Sequence, residues 1–343
     1  MKIYFSTFIT GFSEVIKEFL KNKIPDVEID LIEDGVVVYK TNKGIDFIRE
    51  VHVFNNTFLM LQLFKNLGQN PTDEMMSRAL KIKDLFLGFE DLISKNKNKF
   101  RIMATIDNQF VKMDNMLRER LENSILKSNP KLKLDRTNPD IEFIFINRRE
   151  GYGFLGFRLT RHTSYEKTLE KGELYPELAY ILCLLSEPSK HDVFLDPFCG
   201  VGSIPMVRVS GFGYKEIIAS DVEKFYVTRV RTKVNKIKHS DVTVKKWNAL
   251  NLNELKEESI DKIVTDPPWG INSGKELNLE KFYYDMLLEF NRVLKINGVM
   301  IILIANKDLF ENILNKFDNF KLLNKYDTLV SGQKARVYKI KKN

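Results

Sequence analysis

Hydrophobic positions along the first 68 residues alternate between a period of two and a period near 3.6. Residues 2–8 read as a strand and 13–21 as a helix. Residues 27–31 and 36–39 read as a hairpin across Glu33-Asp34-Gly35, 45–54 as a helix and 58–64 as a strand. A second set follows: a helix over 72–89, a strand over 100–106, a helix over 110–127, and a hairpin from 139–146 and 152–159. Residues 161–173 are polar and without period, which predicts a linker. Beyond them the alternation is regular. A helix over 174–186 leads into strands near 193, 216, 242, 262 and 299, separated by helices near 203, 224, 280 and 307. Strand-helix alternation of this kind predicts a doubly wound parallel sheet. A closing strand pair is expected over 325–329 and 335–340, across Ser331-Gly332. The expected divisions are 1–68, 69–160, the linker 161–173, and 174–343.

Composition sharpens this picture in three ways. The longest wholly apolar run, Val299 to Ala305, is too short to span a membrane, so none is expected as a partner. Cys183 and Cys199 are too few for a disulfide framework, which fits a cytoplasmic protein. His162 and His191 have no Cys or His near them in sequence, so no metal site is expected. The net charge of +8 is unevenly spread: −3 over residues 1–94, +6 over 95–136 and +7 over 224–246. Such concentration suggests a polyanion footprint, a solvated basic face being the plain alternative.

Three of the expected strands run into an acid. Val264-Thr265-Asp266-Pro267-Pro268-Trp269-Gly270 is the most specific. Its prolines fix φ, so the loop holds a carboxylate, a backbone carbonyl and a flat ring in set relation. That suits gripping a planar, amine-bearing base; a rigid turn packing an aromatic is the alternative. Upstream stands Asp196-Pro197-Phe198-Cys199-Gly200-Val201-Gly202-Ser203, where glycines let backbone approach a ligand and Ser203 is a candidate helix N-cap. It lacks the third glycine and the Lys-Ser/Thr of phosphate-binding loops, so a nucleoside without phosphates is the expected ligand. Asp221 ends the next strand, where doubly wound folds place a ribose-binding acid; capping of the following helix is the alternative.

Together these motifs resemble the class I S-adenosylmethionine-dependent methyltransferases. Asp-Pro-Pro-Trp matches the (Asp/Asn/Ser)-Pro-Pro-(Tyr/Phe/Trp) motif of those that modify exocyclic amines. Gly172-Glu173-Leu174-Tyr175-Pro176-Glu177-Leu178-Ala179 is similar to the His-Pro-Gly-x-Leu-x-Pro-x-Leu-Ala segment of THUMP-domain tRNA guanine-N2 methyltransferases, with Glu170-Lys171 in place of His-Pro. The resemblance implies an α/β chain whose C-terminal Rossmann-like domain carries a seven-stranded sheet, preceded by α+β ferredoxin-like and THUMP domains. It implies S-adenosylmethionine as cofactor, held by Asp196, Phe198, Gly200, Gly202, Ser203 and Asp221, with Asn248 and Ala249 at the adenine and Tyr175 and Pro176 over the methionine end. Phe198 shaping the loop instead is equally open.

The sulfonium methyl is already activated, so the chain must align the poorly nucleophilic amine. Asp266 and the Pro267 carbonyl are expected to accept its N–H groups, and Trp269 to stack on the base, contributing roughly 1–3 kcal/mol. Lys112, Arg118, Arg120, Lys127, Arg148 and Arg149 are the candidate RNA contacts. The expected activity is N2-methylation of a tRNA guanosine, at position 6 of the acceptor stem, by a monomer. Guanosine 10 of tRNA, ribosomal RNA guanine-N2 methylation and DNA amino-methylation are the alternatives within the enzyme class. A tRNA-binding scaffold with an inactive pocket is the alternative outside it. Attack on a cytosine ring is disfavoured, because no cysteine lies near the Asp-Pro-Pro-Trp loop.

Overall fold

The computed structural model describes residues 1–107, 109–148, 151–160, 169–170, 172–237, 241–270 and 276–343. Arg149 and most of the linker expected over 161–173 lie outside these residues. Two compact units are present: Met1–Thr7 with Lys17–His162, and Phe8–Ile16 with Thr163–Asn343.

The first unit is built on β1 (Lys2–Thr7), β2 (Glu28–Glu33), β3 (Val36–Thr41), β4 (Asn56–Lys65), β5 (Lys99–Ile106), β6 (Gln109–Phe110), β7 (Lys133–Leu134), β8 (Ile141–Asn147) and β9 (Tyr152–Arg158). They form one sheet in the order β2-β3-β1-β4-β9-β8-β5-β6, with β7 beside β5. The two sets of strands legible in the sequence join through antiparallel pairing of β4 with β9. Phe5, Val36, Val38, Phe58, Ile144, Ile146 and Phe154 form a buried cluster drawn from both sets.

The helices are α1 (Ser13–Lys23), α2 (Ile45–Arg49), α3 (Pro71–Ala79) and α4 (Asn115–Ser128). Three are shorter than the periodicity suggests. The helix expected over 72–89 ends at Ala79, and Asp84 (φ 56°) and Gly88 (φ 86°) adopt left-handed backbone that a helix cannot continue through. That expected over 45–54 stops at Arg49, where the Glu50 N–H turns back to the Phe47 and Ile48 carbonyls. That expected over 110–127 begins only after Asp114, whose carboxylate accepts from the Leu117 N–H at 2.8 Å as an N-cap.

The second unit carries β10 (Val193–Asp196), β11 (Glu216–Asp221), β12 (Val242–Lys246), β13 (Ile260–Thr265), β14 (Leu294–Ile304), β15 (Phe320–Val330) and β16 (Gln333–Lys342). Its helices are α5 (Pro176–Leu185), α6 (Ser203–Gly211), α7 (Lys224–Ile237), α8 (Leu279–Val293) and α9 (Lys307–Leu314). The seven strands run β12-β11-β10-β13-β14-β16-β15, as the Rossmann-like reading requires. The first five are parallel, and β16 is inserted antiparallel to both its neighbours. The chain steps outward from β10 to β11 and β12, then crosses to the other side of β10 at β13. That reversal leaves a crevice outside the carboxyl ends of β10 and β13, where open α/β sheets bind ligands.

The helix α8 shows why this scaffold is rigid. Phe282, Tyr283, Met286, Leu287, Phe290 and Val293 recur on one side and are all buried against the sheet. Each such side chain contributes about 1.5–3 kcal/mol on burial. The segment Phe8–Ile16 also packs within this unit, on β15. Gly11 has φ 92°, and a Cβ there would sit 1.8 Å from the Asp327 carbonyl oxygen, so only glycine fits. The Thr328 hydroxyl donates to the Thr10 carbonyl at 2.9 Å, and the Phe12 ring lies 5.6 Å from Tyr326.

Candidate active site

Three carboxylates line the carboxyl edge of the sheet. Asp196 closes β10, Asp221 closes β11, and Asp266 follows β13 by one residue. Register fixes their neighbourhood: Asp196 pairs with Ala219, and Leu195 with both Ile218 and Ile263.

Asp196 is buried, with 1% of its surface exposed. Its Oδ1 accepts from the Thr265 hydroxyl at 2.7 Å and from the Phe198 N–H at 3.2 Å. Burial, reinforced by the nearby Asp221 charge, pushes its pKa up to about 7 against those hydrogen bonds. Asp221 accepts from the Gly200 N–H and from the Glu223 N–H, both at 2.9 Å, and burial raises its pKa as well. The acid thus ties the glycine loop to β11, and the Cys199 N–H adds a bond to the Ser220 carbonyl at 2.9 Å. From the other side the Lys233 ammonium on α7 donates to the Val201 carbonyl at 2.7 Å.

Gly200 sits at φ 47°, and a Cβ on it would meet nothing nearer than the Gly172 carbonyl at 3.8 Å. The loop therefore keeps an open cradle at this point. The N-cap of α6 is Gly202, left-handed at φ 92°, not Ser203 as the sequence suggested. Ser203 is instead the first helical residue, and its hydroxyl accepts from the Leu174 N–H at 3.1 Å. That bond ties the stretch before α5, where Tyr175 is the N-cap and Pro176 the first helical residue, to the glycine loop. Phe198 turns inward, its ring 5.8 Å from Phe282. Asn248 is exposed, Ala249 buried, and the Asn248 Oδ1 accepts from the Leu250 N–H at 3.0 Å.

The Asp266 loop is held at two points that the sequence did not reveal. The Tyr283 hydroxyl donates to the Pro268 carbonyl at 3.1 Å from α8, and the Trp269 indole N–H donates to the Leu303 carbonyl at 3.2 Å on β14. Gly270 closes the loop at φ 75°, where a Cβ would lie 2.6 Å from Leu279 Cδ1. Within this clamp the Asp266 Oδ1 is shut off from solvent and accepts no hydrogen bond. Burial, and then the Asp196 charge, push the Asp266 pKa up to about 8.

The family described as "UPF0020: RMKL-like, methyltransferase domain" matches residues 163–333. Over 137 residues the chain is 34% identical to a probable tRNA (guanine(10)-N2)-dimethyltransferase of Methanothermococcus thermolithotrophicus, a match covering 38% of this chain and 81% of that relative. This chain belongs to the tRNA guanine-N2 methyltransferase family. A second relative, the tRNA (guanine(6)-N(2))-methyltransferase THUMP3 of Mus musculus, is 27% identical over 229 residues, which cover 62% of this chain but only 45% of that longer protein. The fold is similar to that of TrmN from Thermus thermophilus, with a TM-score of 0.78 and 21% identity over all of both chains.

The basic residues expected to meet RNA separate into two groups. Lys112, Arg120 and Lys127 are exposed. Arg118 instead donates to Asn115 Oδ1 at 2.9 Å, and Arg148 donates to the Asp34 carbonyl at 2.7 Å, so both are engaged within the fold. The basic stretch over 224–246 is partly consumed in the same way. Arg229 pairs with Glu170, Arg231 donates to the Val244 carbonyl, and Lys233 holds the glycine loop. Both cysteines are buried and free. Among the described residues no group of three or more His, Cys, Asp or Glu could hold a metal ion, and no helix is long and apolar enough to cross a membrane.

Proposed function

We propose that this chain transfers a methyl group from S-adenosylmethionine to the exocyclic N2 amine of a tRNA guanosine, at position 6 of the acceptor stem. The carboxylate of Asp266 carries the reading. Its Oδ1 is a buried acceptor without a donor. Such an atom costs about 1–3 kcal/mol, so the loop is suited to a donor that arrives with a substrate. An exocyclic amine supplies one.

Asp221 would hold the ribose hydroxyls and Gly200 the close approach of backbone, with Gly202 and Ser203 shaping the turn. Asn248 and Ala249 would meet the adenine, and Tyr175 and Pro176 the methionine end, with Asp196 beneath. The bound cofactor supplies a methyl group on a positively charged sulfur, ready for in-line displacement. Asp266 and the Pro267 carbonyl then each accept one N–H of the amine, which turns its lone pair toward the methyl and stabilises charge as it develops. Trp269 stacks on the base, which must leave any duplex first. After transfer the surplus proton on the methylated amine passes to the Asp266 carboxylate and from there to solvent. Lys112, Arg120 and Lys127 of the front unit bind the tRNA backbone, and the enzyme works as a cytoplasmic monomer.

Mass-spectrometric mapping of tRNA from a deletion strain, before and after treatment with the purified protein, tests this reading. N2-methylguanosine should vanish from one site and return on treatment. An unchanged tRNA profile refutes it. A folded protein that gives no heat with S-adenosylmethionine would favour a tRNA-binding scaffold instead.

A further inference from the structure

A groove of about 480 Å³ opens beside the Asp266 loop, lined by Trp269, Ala305, Asn306, Gln333 and Lys334. We propose that it is the guanine-reading pocket, in which Lys334 and the Asn306 amide donate to the O6 atom of the target base and the Gln333 amide to its N7 atom. The inference rests on the guanine-N2 reading and names the residues that would set its base specificity.

Topology supplies the first argument. Asn306 follows the carboxyl end of β14, the parallel neighbour of β13, in the register Thr265 with Ile302. Gln333 and Lys334 begin β16, which pairs antiparallel with β14 in the register Ile304 with Arg336. All three residues therefore lie on the same edge of the sheet as Asp266, beside strands that follow β13 on the side away from β10. The volume falls within the range of small-ligand sites.

Chemistry supplies the second. A guanine whose N2 amine meets Asp266 presents O6 and N7, both acceptors, on its opposite edge; adenine presents a donor amine there. Lys334 has donors only, and it is exposed at the groove. Asn306 is the N-cap of α9, a place where asparagine normally spends its side chain on the helix. Here it makes no capping hydrogen bond, so its amide is available to the groove. No carboxylate lines the groove to compete for these donors.

The test uses the full chain and tRNA assembled with either guanosine or 2-aminopurine riboside at the mapped nucleotide. The analogue keeps the N2 amine but lacks O6. Wild type should prefer guanosine by about tenfold or more, the value of a good base-edge contact. Asn306→Ala and Lys334→Met should each lower kcat/KM on guanosine while barely changing it on 2-aminopurine, so the preference collapses toward one. Affinity for S-adenosylmethionine should stay put, which shows that the variants fold. Equal losses on both substrates would overturn the inference, because that pattern belongs to a phosphate contact. A wild type that methylates neither tRNA would sink the proposed function itself, and this pocket with it.

Discussion

Binding of a sulfonium to this site should be coupled to release of protons. The perturbation is the arrival of a positive charge at a crevice flanked by two carboxyls whose pKa values stand near 7 (Asp196) and 8 (Asp266). At pH 7 these groups hold roughly half and nine-tenths of a proton, about 1.4 in total. If the sulfonium ionises both, about 1.4 protons should leave on binding at pH 7, and affinity should rise roughly fifteenfold between pH 7 and pH 8.5. S-adenosylhomocysteine has a neutral sulfur and should show a much flatter dependence. Calorimetric titrations in buffers of different ionisation enthalpy count the protons directly. Asp266→Asn removes one participant, so the count at pH 7 should fall to about half a proton. A heat independent of buffer, or identical pH profiles for the two ligands, would refute the reasoning.

Other consequences concern the same loop. Asp266→Asn should lower the methylation rate by about 100-fold or more while leaving S-adenosylmethionine binding measurable, because the charge that orients the amine is lost; single-turnover kinetics reads this. Tyr283→Phe keeps the buried ring but removes the bond to the Pro268 carbonyl, so kcat should drop by about tenfold with little change in cofactor affinity, at a stability cost of about 1 kcal/mol. Gly270→Ala meets both a left-handed backbone and Leu279, and chemical denaturation should show a loss of about 1–3 kcal/mol. In the ligand-free protein the folded-state pKa values of Asp196 and Asp266 lie above the ordinary 3.8. The folded state then binds more protons than the unfolded state between about pH 4 and pH 8, and these groups make stability fall as pH rises through that window. Their share between pH 6 and pH 8 is roughly 4 kcal/mol, and denaturation of an Asp196→Asn, Asp266→Asn double variant should lose that slope.

The strands of the catalytic unit and the acids that end them were legible, for a simple reason. A buried parallel strand is an apolar run, and a polar residue at its end has nowhere to go but the rim of the sheet. Asp196, Asp221 and Asp266 declare themselves in that way. Tyr283 does not: within an amphipathic helix its spacing says only that it is buried, and nothing marks its hydroxyl as the partner of a carbonyl in a distant loop. Lys233 was hidden by its company, since a lysine that holds the glycine loop looks like its solvated neighbours. The same local view overextended the helix after Pro71. Residues 80–89 have helical spacing, but the chain turns left-handed at Asp84 and Gly88, and hydrophobic periodicity carries no signal for such backbone. The Phe8–Ile16 segment lies among the front strands in sequence, and nothing in its pattern marks it as part of the catalytic unit.

That segment has a consequence for how the enzyme matures. The Thr328 hydroxyl and the Thr10 carbonyl meet across 318 positions of sequence. Chains emerge from the ribosome amino end first, so the earliest part of this catalytic body is made long before the hairpin it rests on. Its docking must wait until that hairpin has been made, and closing so long a loop is a slow route to a native contact. Cutting the gene between the two halves to liberate a minimal enzyme would therefore discard a piece of that enzyme, and the fragment would be left with a bare seat on its final hairpin.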